Sequence, residues 1–273
     1  MGRRAWLRRL LPETIMSVSP SSIGVLGGLG PYAGLDLVHK IFDCCAATKD
    51  QDHLPVILYS FPAEIPPRVE FLLDDSLDNP GHAMGGIMVR LARAGATVIG
   101  MPCNTAHSAS ILDAALERLK DSGFTGCFVN MITATAEYIA RNFPQVRRVG
   151  VLCTQGAHAS RVFDQYLGQA GLDVLYPDAA GREKLQRAIS DPAYGLKAFS
   201  SPVTEKAWNG VTAQARRMAE RQVDLILLGC TELPLALAGK KFEGIPLVDP
   251  TRVLARCLVQ AYAPHALRPE PGE

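Results

Sequence analysis

Apolar residues in this chain gather in two patterns. Short runs rich in Val, Ile and Leu occupy residues 23–26, 56–61, 97–101, 149–152, 225–228 and 247–248, and these read as strands. Between them, residues 81–94, 106–120 and 203–221 place apolar positions three and four apart, the spacing of an amphipathic helix. The strands are apolar almost throughout instead of alternating, so both faces are expected to be covered. Strand and helix in alternation, with strands buried on both sides, predict an α/β fold built on parallel sheet.

The pattern occurs twice. Gly24-Val25-Leu26 near the start returns as Gly150-Val151-Leu152, each closing an apolar run. From Gly24 to Cys103 is 79 positions, and from Gly150 to Cys230 is 80. Each cysteine directly follows a strand, in Pro102-Cys103-Asn104-Thr105 and in Gly229-Cys230-Thr231-Glu232. Ligands of open parallel sheets sit beyond the carboxyl ends of the strands. Two such halves facing one another would aim both thiols at one cleft.

Composition narrows the class. The chain has 273 residues, 48% of them hydrophobic and 20% charged, with a net charge of +1. That balance suits a globular protein and gives no sign of a nucleic-acid groove or a polybasic membrane patch. No apolar run is long enough to span a bilayer. Residues 1–21 are arginine-rich at their start but lack the apolar core of a secretory signal, and they are set aside as a disordered extension. Seven cysteines without CxxC pairs exclude a zinc or disulfide framework, so a reducing, cytoplasmic setting is expected. Cys44, Cys45, Cys127, Cys153 and Cys257 are expected to be small buried hydrophobes.

Cys103 and Cys230 invite a chemical reading. Inverting a carbon centre without a cofactor takes a proton from one face and returns one to the other, which needs a thiolate and a thiol that exchange roles. A free thiol titrates near 8.5, so a modest shift yields a usable thiolate. Both cysteines sit at expected strand-to-helix turns, where a helix N-terminus would favour the anion. Asn104, Thr105 and Thr231 offer hydrogen bonds to a thiolate or to a substrate carboxylate.

The segments Met101-Pro-Cys-Asn-Thr-Ala-His107 and Leu228-Gly-Cys-Thr-Glu-Leu-Pro234 closely resemble the aspartate/glutamate racemase family. The resemblance runs over residues 22–262 and includes Ile23-Gly-Val-Leu-Gly-Gly-Leu-Gly-Pro31, Asp50-Gln-Asp-His-Leu-Pro55 and Asp249-Pro-Thr251. It implies two similar α/β domains, each a parallel sheet flanked by helices, related by a pseudo-twofold axis with the active site between them, and a homodimer. The first domain would take residues 22–127 plus 249–273 and the second residues 128–248. The resemblance implies racemisation of an acidic amino acid, without cofactor or metal, by Cys103 and Cys230. Asn104, Thr105, Thr231 and Thr154 would bind substrate. Arg68, in Ile65-Pro-Pro-Arg68, and Lys197, in Tyr194-Gly-Leu-Lys197, would meet its carboxylates. From spacing alone, His107 lies four positions after Cys103 and would share its helical face, pointing toward the cleft. His107 near Cys103 and Glu232 near Cys230 would tune the thiols or serve only as structural support. Thr-Glu after Cys230, where glutamate racemases carry Thr-His, and His107 after Cys103-Asn-Thr-Ala point to the aspartate branch. The chain departs from the family at Pro67, Ala157 and Phe199, all at the substrate end.

Other readings stay open on the residues alone. The glycine loop Gly24–Gly30 is not spaced as a dinucleotide fingerprint, and a turn whose N–H groups meet a carboxylate fits it better. No Schiff-base lysine motif for pyridoxal phosphate is present. Asp36 and Asp249 read as turn or cap residues. A related decarboxylase or cis–trans isomerase, or a non-catalytic amino-acid sensor, would share the cleft.

Overall fold

The structure, a computed structural model, describes residues 21–74 and 76–269. The extension expected at the N-terminus lies outside the described residues apart from Ser21.

The first half of the chain runs β1 (Ser22–Gly27), α1 (Pro31–Cys44), β2 (Val56–Ser60), α2 (Arg68–Leu73), α3 (Pro80–Arg93), β3 (Ala96–Gly100), α4 (Ala109–Asp121) and β4 (Cys127–Val129). After it come α5 (Met131–Asn142), β5 (Arg148–Cys153), α6 (Gln155–Ala159), α7 (Val162–Gln169), β6 (Asp173–Leu175), α8 (Ala179–Ser190) and α9 (Glu205–Glu220). The chain closes with β7 (Leu225–Gly229), β8 (Lys241–Phe242), β9 (Ile245–Val248) and α10 (Pro250–Tyr262). No helix among the described residues is long and apolar enough to cross a membrane.

Two sheets form, in the orders β2-β1-β3-β4 and β6-β5-β7-β9-β8. All pairings are parallel except β8 with β9. Leaving out the short β8, the second sheet repeats the order of the first, with β5, β6, β7 and β9 in the places of β1, β2, β3 and β4. The match extends to register. Gly24 pairs with Ile99, four residues before Cys103, and Gly150 pairs with Ile226, four residues before Cys230. The duplication seen in the sequence is therefore a duplication of strand pairing, and the one-residue difference in spacing falls before β7.

Packing explains where the elements lie. One core contains Ile23, Leu37 and Ile41 of the first half with Met131, Val149 and Leu227 of the second, and α10 brings Leu254 and Leu258 into it. The α10 helix packs on α1, α5 and β3, so the last element returns to the first sheet. Separate cores lie on the outer faces, under α3 and α4 in the first half and under α8 and α9 in the second. The α3–α4 approach is very close, since a Cβ at Gly81 would lie 2.2 Å from the Ile111 carbonyl oxygen.

Four expectations need correction. The run at residues 56–61 is only half-buried, because β2 is an edge strand with a sheet neighbour on one side. Cys127 is exposed, at the start of the edge strand β4, and Cys257 is half-buried. The helix expected over 106–120 starts at Ala109, after a separate 3-10 turn at Thr105–His107. The helix expected from 203 starts at Glu205, where the Thr204 hydroxyl caps it by accepting from Ala207 N.

Candidate active site

In both sheets the first strand has the second on one side and the third on the other. The connections leaving its end and that of the third strand thus diverge, and a crevice opens between them. Leu29 follows β1 and Cys103 follows β3; Thr154 follows β5 and Cys230 follows β7. These four positions meet in one cavity of about 390 Å³. Its walls carry Arg68, Cys103, Asn104, Thr105, Thr154, Lys197, Cys230, Thr231 and Glu232, so all eight residues expected to react with or bind substrate are brought together.

Cys103 and Cys230 are 7% and 6% exposed, buried but lining the cleft. Cys230 Sγ donates to Glu232 Oε2 at 3.0 Å, and Thr231 Oγ1 donates to the same oxygen at 3.2 Å. Burial pushes the Cys230 thiol well above its ordinary range, the Glu232 carboxylate adds to the rise, and Lys197 opposes it. The helix expected to favour a thiolate there is missing. Cys230 leads into the single 3-10 turn Leu233–Leu235, too short to sum a useful dipole.

Glu232 is itself positioned by a glycine. Gly30 has φ +125°, and a Cβ there would lie 2.8 Å from Glu232 Oε1, so the β1–α1 turn can close on the carboxylate only without a side chain.

Asn104 is 2% exposed, and neither its Oδ1 nor its Nδ2 has a partner in the protein. An unsatisfied buried amide costs roughly 1–3 kcal/mol, and this one belongs to a residue of the cavity wall. Beside it Thr105 Oγ1 and Thr154 Oγ1 share a hydrogen bond of 3.1 Å across the two halves. Thr154 also caps α6 by accepting from Ala157 N, so Ala157 contributes through its backbone.

Two cations border the cleft. Arg68 is the first residue of α2, after Pro67; its Nη2 donates to Leu29 O at 2.9 Å, while its buried Nε has no partner. Lys197 is exposed at the rim, and no ion pair engages its ammonium among the described residues. Surrounding protein pulls its pKa down by desolvation, but the anionic forms of Cys230, Glu232 and Cys103 outweigh that and raise it. Phe199 is exposed and does not line the cavity.

His107 does not point into the cleft as its spacing from Cys103 suggested. Its segment is a 3-10 turn, and the ring is wholly buried behind the cysteine. Met131 N donates to Nε2 at 3.2 Å, which leaves Nδ1 carrying the proton and donating to Cys103 O at 2.8 Å. Burial holds the imidazole down at about 4, hence neutral. Asp249 does cap α10, accepting from Thr251 N, but it and Asp36 also clasp Lys40 at 2.6 and 2.5 Å.

The sequence reading missed Gln186 and Ser190, four apart on α8, which close the cavity beside Lys197. Gln186 Oε1 accepts from Gln155 N and Nε2 donates to Ser190 Oγ, so this wall is neutral and fixed. A polar pair on an exposed helix face has no local signal that separates it from ordinary surface. Glu70 also borders the cleft.

A duplicated parallel α/β fold with one small-molecule cleft between its halves is the class that fold and site define. The chain belongs to the Asp/Glu/Hydantoin racemase family, which it matches over residues 26–258. It is 25% identical over 248 residues to the broad specificity amino-acid racemase RacX of Bacillus subtilis (strain 168), covering 88% of this chain and 97% of that protein. Among solved structures it resembles the aspartate racemase of Picrophilus torridus, with 28% identity, a TM-score of 0.72, and coverage of 88% of this chain and 93% of the other. An aspartate racemase homologue from Pyrococcus horikoshii OT3 shares the fold at 23% identity and a TM-score of 0.66, with coverage of 88% and 98%.

Proposed function

We propose that this protein racemises an acidic amino acid, aspartate foremost, by passing the Cα proton between Cys103 and Cys230 without a cofactor. The observation that carries the reading is the convergence of two thiols, one from each half, on one small polar cavity. Cys230, held as a thiol by burial and by Glu232, is the proton donor of the resting form. Cys103 is then the base for the enantiomer whose Cα–H faces it, and the roles reverse for the other.

Asn104 supplies an acceptor for the α-ammonium and a donor for the α-carboxylate, and the Thr105–Thr154 hydroxyl pair lies beside it. Hydrogen bonds to that carboxylate strengthen as the carbanion delocalises into it, which lowers the barrier. Arg68 and Lys197 supply positive charge for a second carboxylate, Arg68 through a planar fork and Lys197 as a point charge. The likeness to an aspartate racemase and the Cys230-Thr231-Glu232 segment favour aspartate. The neutral Gln186–Ser190 wall, together with the likeness to a broad-specificity racemase, favours acceptance of further amino acids at lower efficiency.

A chiral assay over an amino-acid panel in deuterated water tests this. Aspartate should invert fastest and gain solvent deuterium at Cα. Cys103→Ala and Cys230→Ala should each lose at least about 10³-fold in rate, the scale of losing an essential acid or base. Full racemase activity in either variant overturns the two-thiol reading.

A further inference from the structure

Glu232 borders two cavities. Besides the cleft, a second volume of about 280 Å³ lies against it, between α1 and the segment after Cys230. Thr231 and Glu232 line both volumes, and no other described residue does. The second cavity has apolar walls, including Ala33, Leu237 and Ala238, and one polar side formed by the Asp36–Lys40–Asp249 cluster. At roughly 30 Å³ per water it has room for several molecules, with Glu232 on one side and the ion cluster on the other.

The chemistry needs such a place. When Cys230 protonates the carbanion, its S–H bond breaks and a thiolate remains where Sγ lies 3.0 Å from the Glu232 carboxylate. Two adjacent buried anions repel strongly. After one inversion Cys103 carries a proton and Cys230 lacks one, so a second inversion in the same direction must first reverse this. Cys103 lines the cleft and can release its proton there once product has left, whereas Cys230 must regain one beside the Glu232 carboxylate that its sulfur contacts.

We propose that the second cavity is a proton port serving Cys230 through Glu232. Water held by Asp36, Lys40 and Asp249 delivers a proton to the Glu232 carboxylate, which passes it to the thiolate and regenerates S–H. The proton taken by Cys103 leaves through the cleft after product departs, and the one delivered through Glu232 replaces it on Cys230, so the exchange balances. The port rests on the reading of Cys230 as proton donor, and it adds a second solvent connection to that site.

Filling the port without touching the cleft tests it. Ala238→Trp does so from an exposed position, and Ala33→Leu from α1. Two rates are compared at saturating aspartate: net conversion of one enantiomer, and interchange of labelled enantiomers in a racemic mixture. Interchange needs no solvent reset, because opposite turnovers alternate and regenerate each form of the enzyme. Net conversion should fall about tenfold while interchange holds. Both rates unchanged, or both reduced equally, in the folded variants would overturn the port. Absence of any α-proton exchange in the native protein would overturn the racemase reading itself, a different result from native turnover with the two rates still coupled in the variants.

Discussion

Cys230 Sγ donates to Glu232 Oε2 at 3.0 Å, whereas behind Cys103 stands His107, which donates to the Cys103 carbonyl oxygen at 2.8 Å. The duplicated halves thus differ where their chemistry would be most alike. One sulfur is coupled to a carboxylate that can exchange its proton. The other lies on a loop whose backbone is pinned by a neutral imidazole. On the two-thiol reading proposed above, this asymmetry would make Cys230 the acid of the resting protein and Cys103 its opposite number.

Glu232→Gln keeps an acceptor for the Cys230 thiol but removes the negative charge that helps raise its pKa. A rate that needs Cys230 protonated is lost as pH rises through that pKa. The alkaline limb of the pH–rate profile should therefore move to lower pH, and kcat should drop roughly 10- to 100-fold with little change in KM. An unmoved limb would show that the carboxylate does not tune this thiol.

Asn104→Leu replaces an unpartnered buried amide with an apolar side chain of similar shape. Thermal melting should show a free protein more stable by roughly 1–2 kcal/mol, or about 2–4 °C in Tm per kcal/mol for a chain of this size. Racemisation of aspartate should fall at least about 100-fold in kcat/KM. A stability loss instead would mean that the amide is satisfied in the free protein.

Protonating His107 should destabilise the fold. Its pKa is lowered from 6.5 to about 4, so the unfolded chain binds the extra proton first as pH falls. Stability relative to His107→Gln should decline from about pH 6.5 to pH 4 and level off below. The full difference is about 3 kcal/mol at roughly 1.4 kcal/mol per unit, with the value fixed by the shift to about 4. Denaturant melts of both proteins across this range measure it, and parallel curves would show that the imidazole is not buried as a neutral group.

Lys197→Met removes the unpaired ammonium at the rim. The KM for aspartate should rise at least about tenfold, with a much smaller effect on an uncharged amino acid, because only the former loses a charge-assisted contact. Equal effects on both substrates would remove Lys197 from side-chain recognition.

The sequence by itself determined the alternation of strand and helix, the doubling of the motif, and the residue types beside Cys103 and Cys230. Apolar runs and glycine turns are local signals, and equal offsets survive because each half repeats the same strand pairing. Arg68, Lys197 and Thr154 came only through resemblance, since a lone cation or hydroxyl has no periodicity of its own. Tertiary structure decided the rest. It turned His107 away from the cleft, since both ring nitrogens bind backbone groups, one of them at the start of α5. It brought Gln186 and Ser190 to the wall, set Gly30 against Glu232 some 200 residues further on, and gave Glu232 a face on two cavities. The direction of a side chain across a contact between halves depends on how those halves pack, and no spacing within either half records it.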